Sequence, residues 1–138
     1  MGPPGPPGQS STITATNFSG LDLRTAVISR TTNLRGVNLT GANLGGLTFD
    51  LLRITANSDT PSNISSADFS NTTWSGGQIT GATATATNFA GAHFTGVNLA
   101  GTDLSTANLT GVTWTSVTCP DGTNSDANGN TCIGHLTP

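Results

Sequence analysis

The chain has 138 residues, enough for one domain, and only 8% of them are charged, with a net charge of −3. A balance this weak argues against nucleic-acid binding through a basic surface and against strong acidic mimicry. No apolar run is long enough to span a membrane.

In chain order, residues 1–10 come first, within "MGPPGPPGQSS". Gly2, Gly5 and Gly8 with paired prolines make collagen-like triplets, too few for a triple helix. The expectation is a flexible, polyproline-II-like leader. The alternative is the end of a longer collagen-like stalk that would trimerise the protein. No basic stretch followed by an apolar one marks a signal peptide.

From residue 11 a period of five takes over. Stepping by five from Leu34 to Cys119 gives 18 positions, 15 of them large and apolar. Ile13, Phe18, Leu23 and Ile28 keep the same step upstream, with one extra residue before Leu34. Two residues before each large side chain stands a usually small one, as at Ala42, Ala67 and Ala92, and Asn or Asp often lies between, as in "GVNLA GTDLS TANLT". Neither a helix (3.6) nor an alternating strand (2) produces that period. Such order also speaks against disorder in a chain poor in charge.

The pattern resembles the pentapeptide-repeat family. That resemblance covers Ser11 to about Cys119 and implies an all-β, right-handed quadrilateral β-solenoid of about 5 coils, four repeats to a coil. Stacking at roughly 4.8 Å per coil gives an axis of roughly 26 Å. Residues 20 apart should stack, giving the columns Leu34–Ile54–Trp74–Phe94–Trp114 and Phe49–Phe69–Phe89–Leu109, and placing Phe and Trp in the core. The solenoid is assigned to 11–118, with irregularities near 28–33 and 56–63, and a cap loop and tail to 119–138.

Within "ANSDTPSNISS", Asn57 and Asp59 fall on inward positions and Pro61 follows. A buried unpaired carboxylate is very costly, so this side should bulge outward or become a loop, with Asp59 solvated. Asn57, Asp59 and Asn63 are the candidate recognition loop. The extra residue before Leu34 should form a corner bulge near Arg30.

"CPDGTNSDANGNTC" closes the chain. Cys119 and Cys132 are expected to form a disulfide, which favours an extracytoplasmic or secreted setting. Cys119 should point inward under Leu99, with the loop as a C-terminal cap and Ile133 and Leu136 available to cover the core. Asn124, Asp126 and Asn128 match the start of a calcium loop, with His135 where the closing Glu belongs. Calcium is therefore the only cofactor considered, secondary to a metal-free cap. The tail also resembles the terminal segment of some bacterial pentapeptide-repeat proteins.

No catalytic constellation emerges; His93 and His135 sit in no metal-ligand spacing, and an enzyme is not expected. Five N-x-S/T sequons, at Asn17, Asn38, Asn63, Asn71 and Asn108, largely restate the repeat. The leading expectation is a structural or protein-binding scaffold, with oligomers through coil ends or the stalk. The first alternative is ice or surface binding by Thr55, Thr73, Thr95, Thr113 and Thr115, a face interrupted by Arg35, Arg53 and His93. The second is a DNA mimic that meets a topoisomerase, against which the scattered Asp residues count.

Overall fold

The computed structural model describes residues 12–14, 17–26, 28, 33–56 and 60–138. Its elements are very short, because the chain turns a corner every five residues. The strands are β1 (Thr12–Thr14), β2 (Asn33–Arg35), β3 (Thr48–Asp50), β4 (Arg53–Thr55), β5 (Thr73–Ser75), β6 (Gln78–Ile79), β7 (His93–Thr95) and β8 (Thr113–Thr115). All pair in parallel, in the orders β1-β2-β4-β6 and β3-β5-β7-β8. These are two adjacent sides of a four-sided solenoid. Single parallel bridges, Asn17–Asn38–Asn63–Thr83 and Asp22–Asn43–Asp68–Asn88–Asn108, build the other two.

The corners explain the period. The residue two after most of the large side chains takes positive φ, as at Gly41, Gly81, Gly91 and Gly101, and even at Leu51, Ser66, Asn71, Ala86 and Ser116. On the bridged sides the Asn or Asp before the large residue accepts the N–H two positions on. Asn38 takes that of Thr40 at 3.0 Å, Asp68 that of Ser70 at 2.8 Å and Asn88 that of Ala90 at 2.9 Å. The recurrent Asn/Asp is therefore a turn-former.

Inside, large and small positions are both buried. Where the small residue is Thr or Ser, its hydroxyl is satisfied: Thr72 donates to Phe69 O at 2.6 Å, Thr87 to Ile64 O at 2.8 Å and Thr102 to Ile79 O at 2.9 Å. Among the described residues, no buried side-chain N or O lacks a partner, as a sound interior requires.

The twenty-residue columns need one correction. Ile54 pairs with Ile79 and Phe49 with Trp74, an offset of 25, while Trp74, Phe94 and Trp114 keep the offset of 20. Asn38 likewise bridges Asn63, again 25 away. One coil thus holds 25 − 20 = 5 extra residues, and the pairs on either side confine them between Thr55 and Ser62. The coil is longer by one whole repeat, so the sides before and after it keep their five-step spacing. The true columns are Leu34–Ile54–Ile79–Leu99–Cys119, Leu39–Ile64–Ala84–Leu104, Leu44–Phe69–Phe89–Leu109 and Phe49–Trp74–Phe94–Trp114.

The expected Phe ladder accordingly splits in two. Phe49, Trp74, Phe94 and Trp114 stack at 4.5, 5.8 and 5.6 Å between ring centroids, and Phe69 and Phe89 at 5.3 Å. The extra residue before Leu34 shows as an offset of 21 from Thr12 to Asn33. The corner expected at Arg30 lies outside the described residues, as do residues 1–11, Asn57 and Asp59. No helix among the described residues is long and apolar enough to cross a membrane.

Candidate binding faces and the C-terminal cap

The register correction rearranges the outer faces. On the side built over Trp74, the outward residues form two ranks in exact-pair register: Thr48, Thr73, His93 and Thr113, and beside them Asp50, Ser75, Thr95 and Thr115. All are exposed, and each strand from β3 to β8 on this side alternates out, in, out. His93 Nδ1 lies 2.7 Å from Thr113 Oγ1. Arg35, Arg53 and Thr55, expected on this face, stand on the neighbouring one with β2 and β4. The reason is the five-residue insertion, which moves Ile54 out of the Trp74 column.

On that neighbouring face, Arg53, Gly77 and Gln78 line a shallow open recess with Leu51 at the corner. Asn63 is not in a loop. It sits in the coil between Asn38 and Thr83, with Oδ1 accepting the Ser65 N–H at 3.0 Å. Among the described residues, no group of three or more His, Cys, Asp or Glu side chains converges.

The tail supplies the bonds that a further coil would have made. In inner coils the Gly76 and Gly96 N–H groups donate to Thr95 O and Thr115 O of the next coil, at 2.7 and 2.8 Å. At the last coil the equivalent Ser116 N–H donates to Asp126 Oδ1 at 2.8 Å, and the Ser116 hydroxyl to Oδ2 at 3.0 Å. Leu99 N–H donates to Thr118 O; Cys119 N–H, one coil on, donates to Thr123 O at 2.7 Å. Leu104 N–H reaches Leu136 O at 2.9 Å, where Ile64 N–H reaches Thr83 O. An edge that would otherwise invite another strand is closed on these sides.

The geometry of the loop follows from its polar residues. Asn124 caps the 3-10 turn Ser125–Asn128 by accepting the Asp126 N–H at 2.8 Å, and Gly129 ends it in the left-handed region at φ 76°. Ser125 is fully buried, its hydroxyl accepting the Val117 N–H at 3.0 Å. Asn128 donates to Thr123 Oγ1 at 2.8 Å. The three calcium candidates thus have three separate bonding tasks within the cap. Cys119 and Cys132 are joined, both fully buried, with Cα atoms 5.4 Å apart. Leu136 packs on the core as expected, but Ile133 is 55% exposed and covers nothing. The chain turns at Cys132, where His135 N–H returns to Cys132 O, and this points Ile133 outward.

Asp121 ties the two ends of the loop. Its carboxyl is pulled down to about 2 by the Thr123 hydroxyl and N–H and then by His135, whose Nδ1 lies 2.7 Å from Oδ2. A carboxylate with a depressed folded pKa stabilises above its unfolded value of 3.8, and that support fades as pH falls through about 2. Asp22, lowered to about 2 by Arg24, acts in the same window. Acid titration followed by circular dichroism should show stability falling between pH 4 and 2, less steeply in Asp121→Asn.

A profile of pentapeptide repeats matches eight copies, over residues 11–46 and 78–111. This chain belongs to the pentapeptide-repeat family. The two matched stretches flank the 25-residue coil, whose stretch "ANSDTPSNISS" departs from the repeat's residue pattern. Among solved family structures, one from the thylakoid lumen of Arabidopsis thaliana is 22% identical over 94% of this chain and 82% of its own, with a TM-score of 0.36. HetL, from the cyanobacterium Nostoc, is 20% identical over 82% of this chain and 51% of its own, at 0.33. QnrB1, a plasmid-mediated fluoroquinolone resistance protein, is 16% identical over 77% and 59%, at 0.33. No curated protein sequence matches the chain.

Proposed function

We propose that this family member is a non-enzymatic binding scaffold whose protein partner meets its outer faces. The observation that carries the reading is where the polar groups are spent. Asn and Asp side chains make the turns, buried hydroxyls hold carbonyls, and the loop carboxylates cap the last coil. What remains for recognition is the outward Thr, Ser, Gln and Arg side chains on a rigid frame.

The DNA-mimic reading loses support from the placement of charge. Asp22 and Asp68 share one bridged ladder but Asn43 separates them, and Asp22 pairs with Arg24 at 2.8 Å. Asp121 and Asp126 belong to the cap.

The test is a pull-down from the source organism's extract with wild-type protein and single-face variants, Gln78→Lys, Thr85→Lys and Thr95→Lys. One protein retained by two variants and lost by the third supports the scaffold and names its face. Retention of nothing beyond a denatured control would overturn it, and recovery of a topoisomerase would restore the mimic.

The cap loop is read as metal-free, because the Asn124 and Asp126 oxygens already accept protein N–H groups. Added calcium should leave the unfolding midpoint unchanged; a rise that EDTA reverses would assign Asn124, Asp126 and Asn128 to a metal. Reduction of Cys119–Cys132 should lower stability by about 3 kcal/mol, the value for a closed loop of this size. Urea titration with and without reductant reads this directly, and coincident curves would remove the cap's role.

A further inference from the structure

We infer that the side over Trp74 adsorbs to ice. This goes beyond the scaffold reading and does not rest on it. Five of its eight outward positions are Thr and one is Ser, in strands paired residue to residue. Strand geometry sets the repeat: roughly 4.8 Å between coils and roughly 6.6 Å between the two ranks. Thr is restricted at χ1, so its hydroxyl and methyl are held in place before anything binds.

The chemistry of the face excludes the usual partners. Its Phe and Trp rings all point inward, with Trp74 fully buried and Phe49 and Phe94 at 1% exposure, so no Phe or Trp is offered to a sugar ring or a protein hot spot. The arginines Arg35 and Arg53 lie around the corner, so phosphate has no guanidinium to meet. Apart from Asp50 and His93, the two ranks present hydroxyls and methyls, and such an array suits a lattice of hydrogen-bonded water. Water oxygens about 2.75 Å apart in tetrahedral order place second neighbours about 4.5 Å apart. Against about 4.8 Å per coil, the mismatch over the three steps from β3 to β8 is about 0.9 Å, small enough for one ordered layer to follow the face. Two positions depart from the array: Asp50, a carboxylate at the β3 end of its rank, and His93, a bulky ring where its neighbours in the rank carry Thr.

The test uses the full chain with its disulfide intact, measuring thermal hysteresis, ice-crystal shaping and incorporation into a growing ice front. Wild type should shape crystals and enter the ice. Thr95→Lys, still folded by circular dichroism, should lose activity at least tenfold; should it fail to fold, Thr113→Lys takes its place. Thr85→Lys, on the opposite side, should match wild type, and His93→Thr should equal or exceed it. Wild type excluded from ice with crystals unshaped overturns the inference, as does Thr95→Lys retaining full activity. Binding to crystalline cellulose or chitin without any effect on ice overturns it in favour of a polysaccharide.

Discussion

Trp74→Ala is expected to cost about 4 kcal/mol, near the middle of the range for a large aromatic lost from a core. Trp74 is fully buried at the centre of the aromatic column, 4.5 Å from Phe49, 5.8 Å from Phe94 and 5.7 Å from Phe69 between ring centroids. Its Nε1 donates to Thr72 Oγ1 at 2.9 Å, and that hydroxyl donates to Phe69 O at 2.6 Å. Alanine removes the rings' common neighbour and the donor together.

The position along the axis sharpens this prediction. In a solenoid each coil is held by its neighbours, so a hole in the middle uncouples the coils on either side. Trp74 also spans the join between the 25-residue coil and the regular coils after it. Urea unfolding of Trp74→Ala should therefore broaden or divide into two steps. Trp114 fluorescence would report the C-terminal part and circular dichroism the whole. Trp114→Ala, at the end of the column and 7% exposed, should cost less and leave a single transition. Equal losses from both variants would mean that layered packing does not govern this core. Trp74→Phe keeps most of the burial and loses the Thr72 bond, for about 1–2 kcal/mol.

The five-residue period made the fold legible. Large residues at a fixed step with small ones two before them carry the resemblance to pentapeptide repeats, that resemblance implied a four-sided coil, and from Ile64 onward the columns follow it. The register before Ile64 was not legible. "ANSDTPSNISS" announced a break through Asn57, Asp59 and Pro61, but a 20-residue coil with an irregular side and a coil longer by one repeat leave the same five-step spacing. Only pairing tells them apart, and pairing puts Ile54 on Ile79. That one choice decides which face carries Arg35 and Arg53, and so whether the Thr ranks are interrupted. The cap was half legible. Two cysteines marked a closed loop, whereas Asp126 bonding to Ser116 depends on a turn that brings residues ten apart together. A calcium-like spacing of Asn and Asp is also the spacing of a capped 3-10 turn, so the sequence alone did not separate them.

Gly77→Ala should be nearly as damaging as the loss of Trp74, although it adds one methyl group. Gly77 stands at the small inward position before Ile79, where other coils on this side carry Leu52, Val97 and Val117. Its φ is +84°, and a Cβ there would lie 2.2 Å from Leu52 O and 2.9 Å from Leu52 N. Both are backbone atoms, so no side-chain rotation relieves the contact. The chains must separate where Gln78 N–H bonds Leu52 O at 2.9 Å and Asn98 N–H bonds Gly77 O at 3.0 Å. The left-handed conformation costs an alanine about 1–2 kcal/mol, and the two strained bonds about 1 kcal/mol each. The sum is about 3–4 kcal/mol. Gly81→Ala is the control: φ is +62°, yet a Cβ meets nothing within 4 Å, so only the conformational cost of about 1–2 kcal/mol applies. The corners already tolerate Ala86 at φ 56°. If the two alanine variants unfold at the same urea concentration, close approach to Leu52 is not what requires glycine at position 77.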